Sequence, residues 1–339
     1  MSADTTSTLG GWLSSSILTG SILVNYFERP GLKATCYNIG DVSGMGGLTF
    51  EQPVWNPGSE AFAAHSEAGS VTATSISDDS FSPVVAQQVL DHVVTDESLF
   101  AIDGAGWMDF VEQRAPWFAE QADNRISGLI CAVYDDFTTV EGTAGDNLTV
   151  DDMLLARADL QVADGVGGVA FAVVHNVQFS QFLNSLRAES MDGMLHQKTQ
   201  ELGKFGAVKG TFATDIVLIE TNLVGTVSSN YRGALYRPSA IGYAHGVPRS
   251  LSSWAPKARV VPVSEGEVEA YLRSAGVQAP PARVLRGMAA LASGQAQPAI
   301  YVEASRDGSL STREVRLGAS LFCGVSYQAG KGIGLRSTT

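Results

Sequence analysis

Between residues 34 and 113 this chain has no lysine or arginine at all, against twelve Asp and Glu, and its formal net charge is −13. A protein that wraps nucleic acid needs cations to displace the phosphate counterions, so the charge argues against that class. Cysteine is scarce: Cys36, Cys131 and Cys323 are odd in number and far apart, with no metal-ligand or disulfide spacing. A reducing compartment fits this usage. Long apolar runs are missing too. Residues 17–26 are apolar but short, and residues 1–8 lack the basic start of a secretion signal, so neither a signal peptide nor a membrane span is expected. No internal repeat is visible. Charged residues make up only 17% and apolar ones 45%, which excludes wholesale disorder.

Catalytic constellations are equally absent. Gly165, Gly167 and Gly168 precede an apolar strand, whereas a dinucleotide fingerprint follows one. Gly330-Lys-Gly-Ile-Gly334 lacks the Gly-Lys-Ser/Thr ending and the following helix of a phosphate loop. The five histidines (His65, His92, His175, His196 and His245) show no zinc spacing. His175 falls at a strand-to-helix junction, where a hydrogen-bonded structural role is the simpler reading. The pairs Asp78-Asp79, Asp135-Asp136 and Asp151-Asp152 could hold a hard cation, but the last sits in a helix first turn, where capping is the default. No Gly-x-Ser-x-Gly elbow occurs. The expectation is no enzyme, no cofactor and no metal.

What is present describes shape. Thirty-six glycines imply many tight turns and close backbone approaches. Residues 1–16 are rich in Ser, Thr and Gly and read as an arm ordered by a partner. From 35 to 79, Gly and Pro are scattered between short β-prone pieces, a pattern that suits an extended hairpin better than a compact core. Residues 80–94 read as a strand. Trp107, Phe110, Val111, Phe118, Ala122, Ile126, Leu129, Ile130, Val133 and Phe137 then recur at three- and four-residue steps, one apolar stripe of a long helix. Pro116 should kink or divide it. Gly142 and Gly145 end it, and Thr149 with Asp152 caps the next helix.

Gly168-Val-Ala-Phe-Ala-Val-Val174 reads as a strand, 177–186 as a helix, Asp215-Ile-Val-Leu-Ile-Glu220 as a strand and 233–245 as an apolar run. Residues 265–274 and 282–292 read as helices. The last segment is β: 299–303, a turn at Arg306-Asp-Gly308, then 311–327. Charge divides along the chain, with about fifteen basic and eight acidic residues from Lys204 onward. The acidic part of one copy could therefore lie on the basic part of another. The candidates for such contacts are Glu51, Glu60, Glu67, Asp78 and Asp79 on the acidic side, and Arg306, Arg313 and Arg316 on the other.

This order of elements resembles a tailed-bacteriophage major capsid protein of the HK97-like fold family. The resemblance rests on Val173-Val-His-Asn176 leading into 179–186, on Gly210-Thr-Phe-Ala-Thr-Asp-Ile216, on Arg237-Pro-Ser-Ala-Ile-Gly-Tyr-Ala244, and on the C-terminal stretch 302–324. It spans roughly residues 35–246 and 299–335. It implies an α+β chain with an N-terminal arm (1–40), an extended E-loop hairpin (41–84) and a P-domain with its spine helix (85–150). An A-domain (151–298, with 247–298 unplaced and read as an insertion) and a return to the P-domain sheet (299–339) would follow.

The family assembles hexamers and pentamers into an icosahedral shell around double-stranded DNA, without sequence-specific binding and without a membrane. Partners implied are a separate scaffolding protein, a portal and a decoration protein, with assembly in the host bacterial cytoplasm and a final place in the virion. A scaffold in a separate chain is expected because the N-terminus lacks a long charged helical stretch. Some members crosslink through an E-loop lysine; no lysine occurs between Lys33 and Lys198, so that bond is not expected here. The alternatives are an encapsulin-like compartment and a cytoplasmic α/β enzyme.

Overall fold

The computed structural model describes residues 31–41, 49, 51–55, 78–95, 106–164, 168–189, 208–212, 215–246, 300–307 and 314–339. In chain order these form β1 (Tyr37–Asp41), β2 (Gln52–Trp55), β3 (Asp78–Phe81), β4 (Ala86–Thr95), α1 (Gly106–Ala132), β5 (Thr139–Glu141), α2 (Val150–Asp164), β6 (Ala170–Val174) and α3 (Asn176–Glu189). There follow β7 (Val208–Phe212), β8 (Ile216–Glu220), β9 (Thr226–Val227), β10 (Asn230–Tyr236), β11 (Ile241–His245), β12 (Ile300–Asp307), β13 (Glu314–Tyr327) and β14 (Gly332–Thr338). The helices expected at 265–274 and 282–292, the N-terminal arm before residue 31 and the suggested insertion at 247–298 lie outside the described residues.

α1 is the spine that the apolar stripe predicts. Its 27 residues span roughly 40 Å at 1.5 Å each. Of the two outcomes expected at Pro116, division does not occur: the helix runs through Pro116 without a break. Proline removes one backbone donor; Phe118 and Ala119, just beyond it, are buried. Farther on, Ile126 and Ile130 are fully buried, four residues apart on one face, while Leu129 is only half-buried. Arg125 donates from Nε to Gln88 Oε1 at 2.8 Å, tying the helix to β4.

Two sheets share the chain. The first is ordered β1-β11-β13-β12, with β4 on the other side of β13. The second is ordered β5-β14-β10-β6-β8-β7, with β9 beside β10. The segment 299–339 is therefore divided: β12 and β13 lie in the first sheet, and β14 enters the second between β5 and β10. β10 pairs with β14 in the second sheet and β11 with β13 in the first, both antiparallel. One two-stranded ribbon thus passes through both sheets. Its corner, at Arg237–Ala240 and Gln328–Lys331, is closed by Gln328 N–H donating to Ala240 O at 2.8 Å.

α2 and α3 cover one face of the second sheet, through Met153, Ala156 and Leu160 of α2 and Phe179, Phe182 and Leu186 of α3. α2 begins as the sequence predicts: Asp152 N–H donates to Thr149 Oγ1 at 3.2 Å, and Thr149 N–H returns a bond to Asp152 Oδ2 at 2.8 Å. This reciprocal box satisfies two first-turn donors. Under α3, Gln178 is fully buried. Its Nε2 donates to Leu335 O at 3.0 Å and to Tyr231 O at 3.4 Å, and its Oε1 accepts from His175 N–H at 3.1 Å.

At the junction of helix and sheets, Thr35 Oγ1 donates to Leu32 O at 2.6 Å. That leaves Tyr236 to donate to Thr35 (2.7 Å) and Tyr134 to donate to Tyr236 (3.2 Å), a buried chain of hydroxyls joining three segments. All three cysteines are free and buried. Burial pushes the Cys36 and Cys131 thiols up to about 12 and Cys323 to about 11. Because the thiolate is the reactive form, native protein at pH 8 should react with a thiol reagent such as DTNB many-fold more slowly than unfolded protein. All three should titrate in guanidinium. A thiol that reacts at once in the native protein would contradict this burial.

Candidate functional site

Several residues that the sequence singles out for chemistry have structural partners. His175 accepts from Val177 N–H through Nδ1 at 3.2 Å and stacks on Tyr231 with ring centroids 3.8 Å apart. Burial lowers its pKa, partly offset by Glu220. It is a helix-start residue, as the simpler reading had it. Asp152 completes the Thr149 capping box of α2, and Asp135 and Asp136 lie in a 3-10 turn after α1. Gly330 lies in the ribbon corner, and Gly332 and Gly334 lie on β14, so a strand follows this glycine run where a phosphate loop needs a helix. Among the described residues, no three His, Cys, Asp or Glu are grouped to hold a metal, and no helix is long and apolar enough to cross a membrane.

The surfaces that could join copies are placed by β2, β3 and the long strand β13. β2 pairs antiparallel with β3, Gln52 opposite Phe81 and Trp55 opposite Asp78. This ribbon falls within 41–84, where an extended hairpin is expected; residues 56–77 between its strands lie outside the described residues. Glu51 accepts from Ser80 Oγ at 3.1 Å, and both Glu51 and Asp79 are exposed. The ribbon therefore gathers Glu51, Asp78 and Asp79, while Glu60 and Glu67 lie outside the described residues. It is anchored to β13 by Ser82 N–H donating to Ser326 Oγ at 3.0 Å.

Arg306 and Arg316 belong to neighbouring rungs at the other end of β13: Ser305 faces Arg316, and Arg306 faces Val315. Arg313 lies outside the described residues. Ten residues of strand separate Arg316 from Ser326, about 33 Å at ~3.3 Å per residue. Within one chain the acidic ribbon and these arginines lie at opposite ends of the strand and do not meet.

Sequence reasoning passed over one surface. Leu154, Leu155 and Val162 of α2 are exposed although Met153, Ala156 and Leu160 already fill the helix's inward stripe. The signal was available in Leu154, Leu155 and Val162, which share an arc of the helix opposite Met153, Ala156 and Leu160.

No protein-family model matches this chain, and no curated protein matches it in sequence. Solved structures do. The capsid of an empty GTA particle matches at TM-score 0.50 and 12% identity, over 91% of this chain and 90% of that one. The capsid of Ralstonia phage GP4 matches at TM-score 0.50 and 9% identity, over 92% and 89%. The holo-SrpI encapsulin complex from Synechococcus elongatus PCC 7942 matches at TM-score 0.50 and 9% identity, over 90% and 85%. Identities this low speak for fold alone. The chain is built on the HK97-like fold, with a long helix, the two-stranded β2–β3 ribbon and two larger sheets among the described residues.

Proposed function

We propose that this chain is a major capsid protein whose copies assemble as hexamers and pentamers into an icosahedral shell enclosing double-stranded DNA. The observation that carries the reading is the match, at TM-score 0.50 over about nine-tenths of both chains, to the GTA and GP4 capsids. The β2–β3 ribbon supports it: β2 and β3 pair chiefly with each other, a two-stranded unit too small to be stable alone and suited to rest on a neighbour. The acidic balance supports it as well, since a container for DNA should not grip the polymer that moves into it. In this reading α1 and the first sheet form the P-domain, the second sheet with α2 and α3 forms the A-domain, and a separate scaffolding protein and a portal serve assembly, with the presence of a decoration protein left open. The acidic hairpin of one copy would lie across Arg306, Arg313 and Arg316 of the next.

The full chain, expressed alone and then with a candidate scaffolding protein, should give rings or closed particles in negative-stain microscopy. Reversing Arg313 and Arg316 to Glu should lower particle yield, most at low salt where the new repulsion is least screened. A 35.7 kDa monomer under every salt and helper condition would overturn the reading. Particles that carry a protein cargo and exclude DNA would shift it to an encapsulin-like compartment.

A further inference from the structure

α3 opens on a capping box whose acceptor can take up a proton. His175 stands just before the helix, and its carbonyl already accepts the first helical bond, from Phe179 N–H at 2.8 Å. Its ring Nδ1 accepts from Val177 N–H at 3.2 Å, and Gln178 Oε1 accepts in return from His175 N–H at 3.1 Å. Thr149 and Asp152 make the same reciprocal arrangement at the start of α2. There the acceptor is a hydroxyl, which does not titrate. Here it is the unprotonated nitrogen of an imidazole.

A proton on Nδ1 turns that acceptor into a donor, so two N–H groups then face each other. It also sets a cation at the positive end of the helix dipole. The ring is half-buried, within reach of water, and Tyr231 holds it by stacking at 3.8 Å. The charges around it do little to compensate. Glu220, at the end of β8, favours the protonated ring, but burial outweighs it and holds the pKa below the ordinary histidine value. Arg232 of β10 and Arg336 of β14 alternate to the other face of the sheet, because Leu235 and Leu335 take the side that α3 covers. Asn176, Val177 and Gln178 of the helix's first turn carry no charge. The box also reaches past the helix, since Gln178 Nε2 donates to Tyr231 O and Leu335 O on two strands.

We propose that proton uptake by His175 opens the capping box of α3 and frees the helix's first turn from the second sheet. The latch is closed in neutral medium and opens in mildly acidic medium, whether or not the chain forms a shell. The unfolded chain takes the proton near pH 6.5, about the ordinary histidine value, and the folded chain resists it. The box's contribution to stability is therefore complete above that pH and is lost as pH falls through it toward the folded value. Amide hydrogen exchange on the full chain at about pH 7.5 and about pH 5.5, corrected for the intrinsic pH dependence, tests this. Protection of the peptide spanning 173–181 should fall about fivefold in acid, the worth of a lost cap. The peptide spanning 148–156, with its hydroxyl-capped box, should keep its protection. His175→Asn supplies a side-chain oxygen that caps helices without titrating, and should abolish the fall. Equal protection of 173–181 at both pH values would overturn the latch. So would an equal loss over 148–156, or the same acid loss in His175→Asn, since either assigns the effect to other groups.

Discussion

Ile130→Asp should send the chain to the insoluble fraction. Ile130 is fully buried, one turn after the equally buried Ile126, on the face that α1 turns to the body of the protein. A carboxylate there has no partner and either stays charged in an apolar setting or takes up a proton and still lacks its hydrogen bonds. Either way the cost is several kcal/mol, a large share of the roughly 5–15 kcal/mol that holds a domain folded. Leu129→Asp should be much milder, because that side chain is half-buried and its new charge can reach water. Fractionation of the two expressed variants, with circular dichroism on whatever is soluble, checks both. Soluble Ile130→Asp with a wild-type spectrum would mean the spine faces solvent.

The second large effect comes from one methyl group. A Cβ at Gly233 would stand 2.6 Å from Val173 O, 2.8 Å from Gln178 Oε1 and 3.3 Å from Val174 Cα. The nearest atom is backbone, in the strand paired with β10, so it cannot swing aside as a side-chain tip can. Gln178 cannot yield either without giving up its bonds to His175, Tyr231 and Leu335. Gly233→Ala should cost about 1–3 kcal/mol or more and lower the midpoint of thermal unfolding by several degrees. Gly128→Ala supplies the opposite sign. Nothing lies within 4 Å of its Cβ position inside α1, so replacing glycine there should stabilise the helix by about 0.5–1 kcal/mol. Equal midpoints for the two variants would show the close approach at Gly233 to be absent.

Those two glycines illustrate what a sequence can and cannot disclose. Periodicity announced the spine, because a stripe at 3.6-residue spacing is a local property, and the Thr149–Asp152 box was readable for the same reason. The β12–β13 pairing was signalled by Asp307-Gly308 between β-prone runs. Gly233 and Gln178 are joined by contacts between strands and a helix far apart in sequence, so nothing nearby marked them. The path of β14 was hidden likewise: its residues are as β-prone as those of β13, and only pairing with β10 sends it to the other sheet. Of the surfaces, the β2–β3 ribbon was legible as a turn-rich stretch with no core to join. The acidic and basic candidates were legible as charge, but their separation along β13 depends on register. The outward face of α2 is masked in the sequence by Met153, Ala156 and Leu160, which already complete one inward stripe.

The ribbon shared by the two sheets has a mechanical consequence. A tension that draws the sheets apart runs lengthwise along β10–β11 and β13–β14, while their hydrogen bonds lie across the strands. The rungs are then loaded together in shear and cannot be opened one at a time like a zipper. A wall built from such subunits would meet outward pressure by stretching stiff strands, and bending would be concentrated at the one corner where Gln328 meets Ala240.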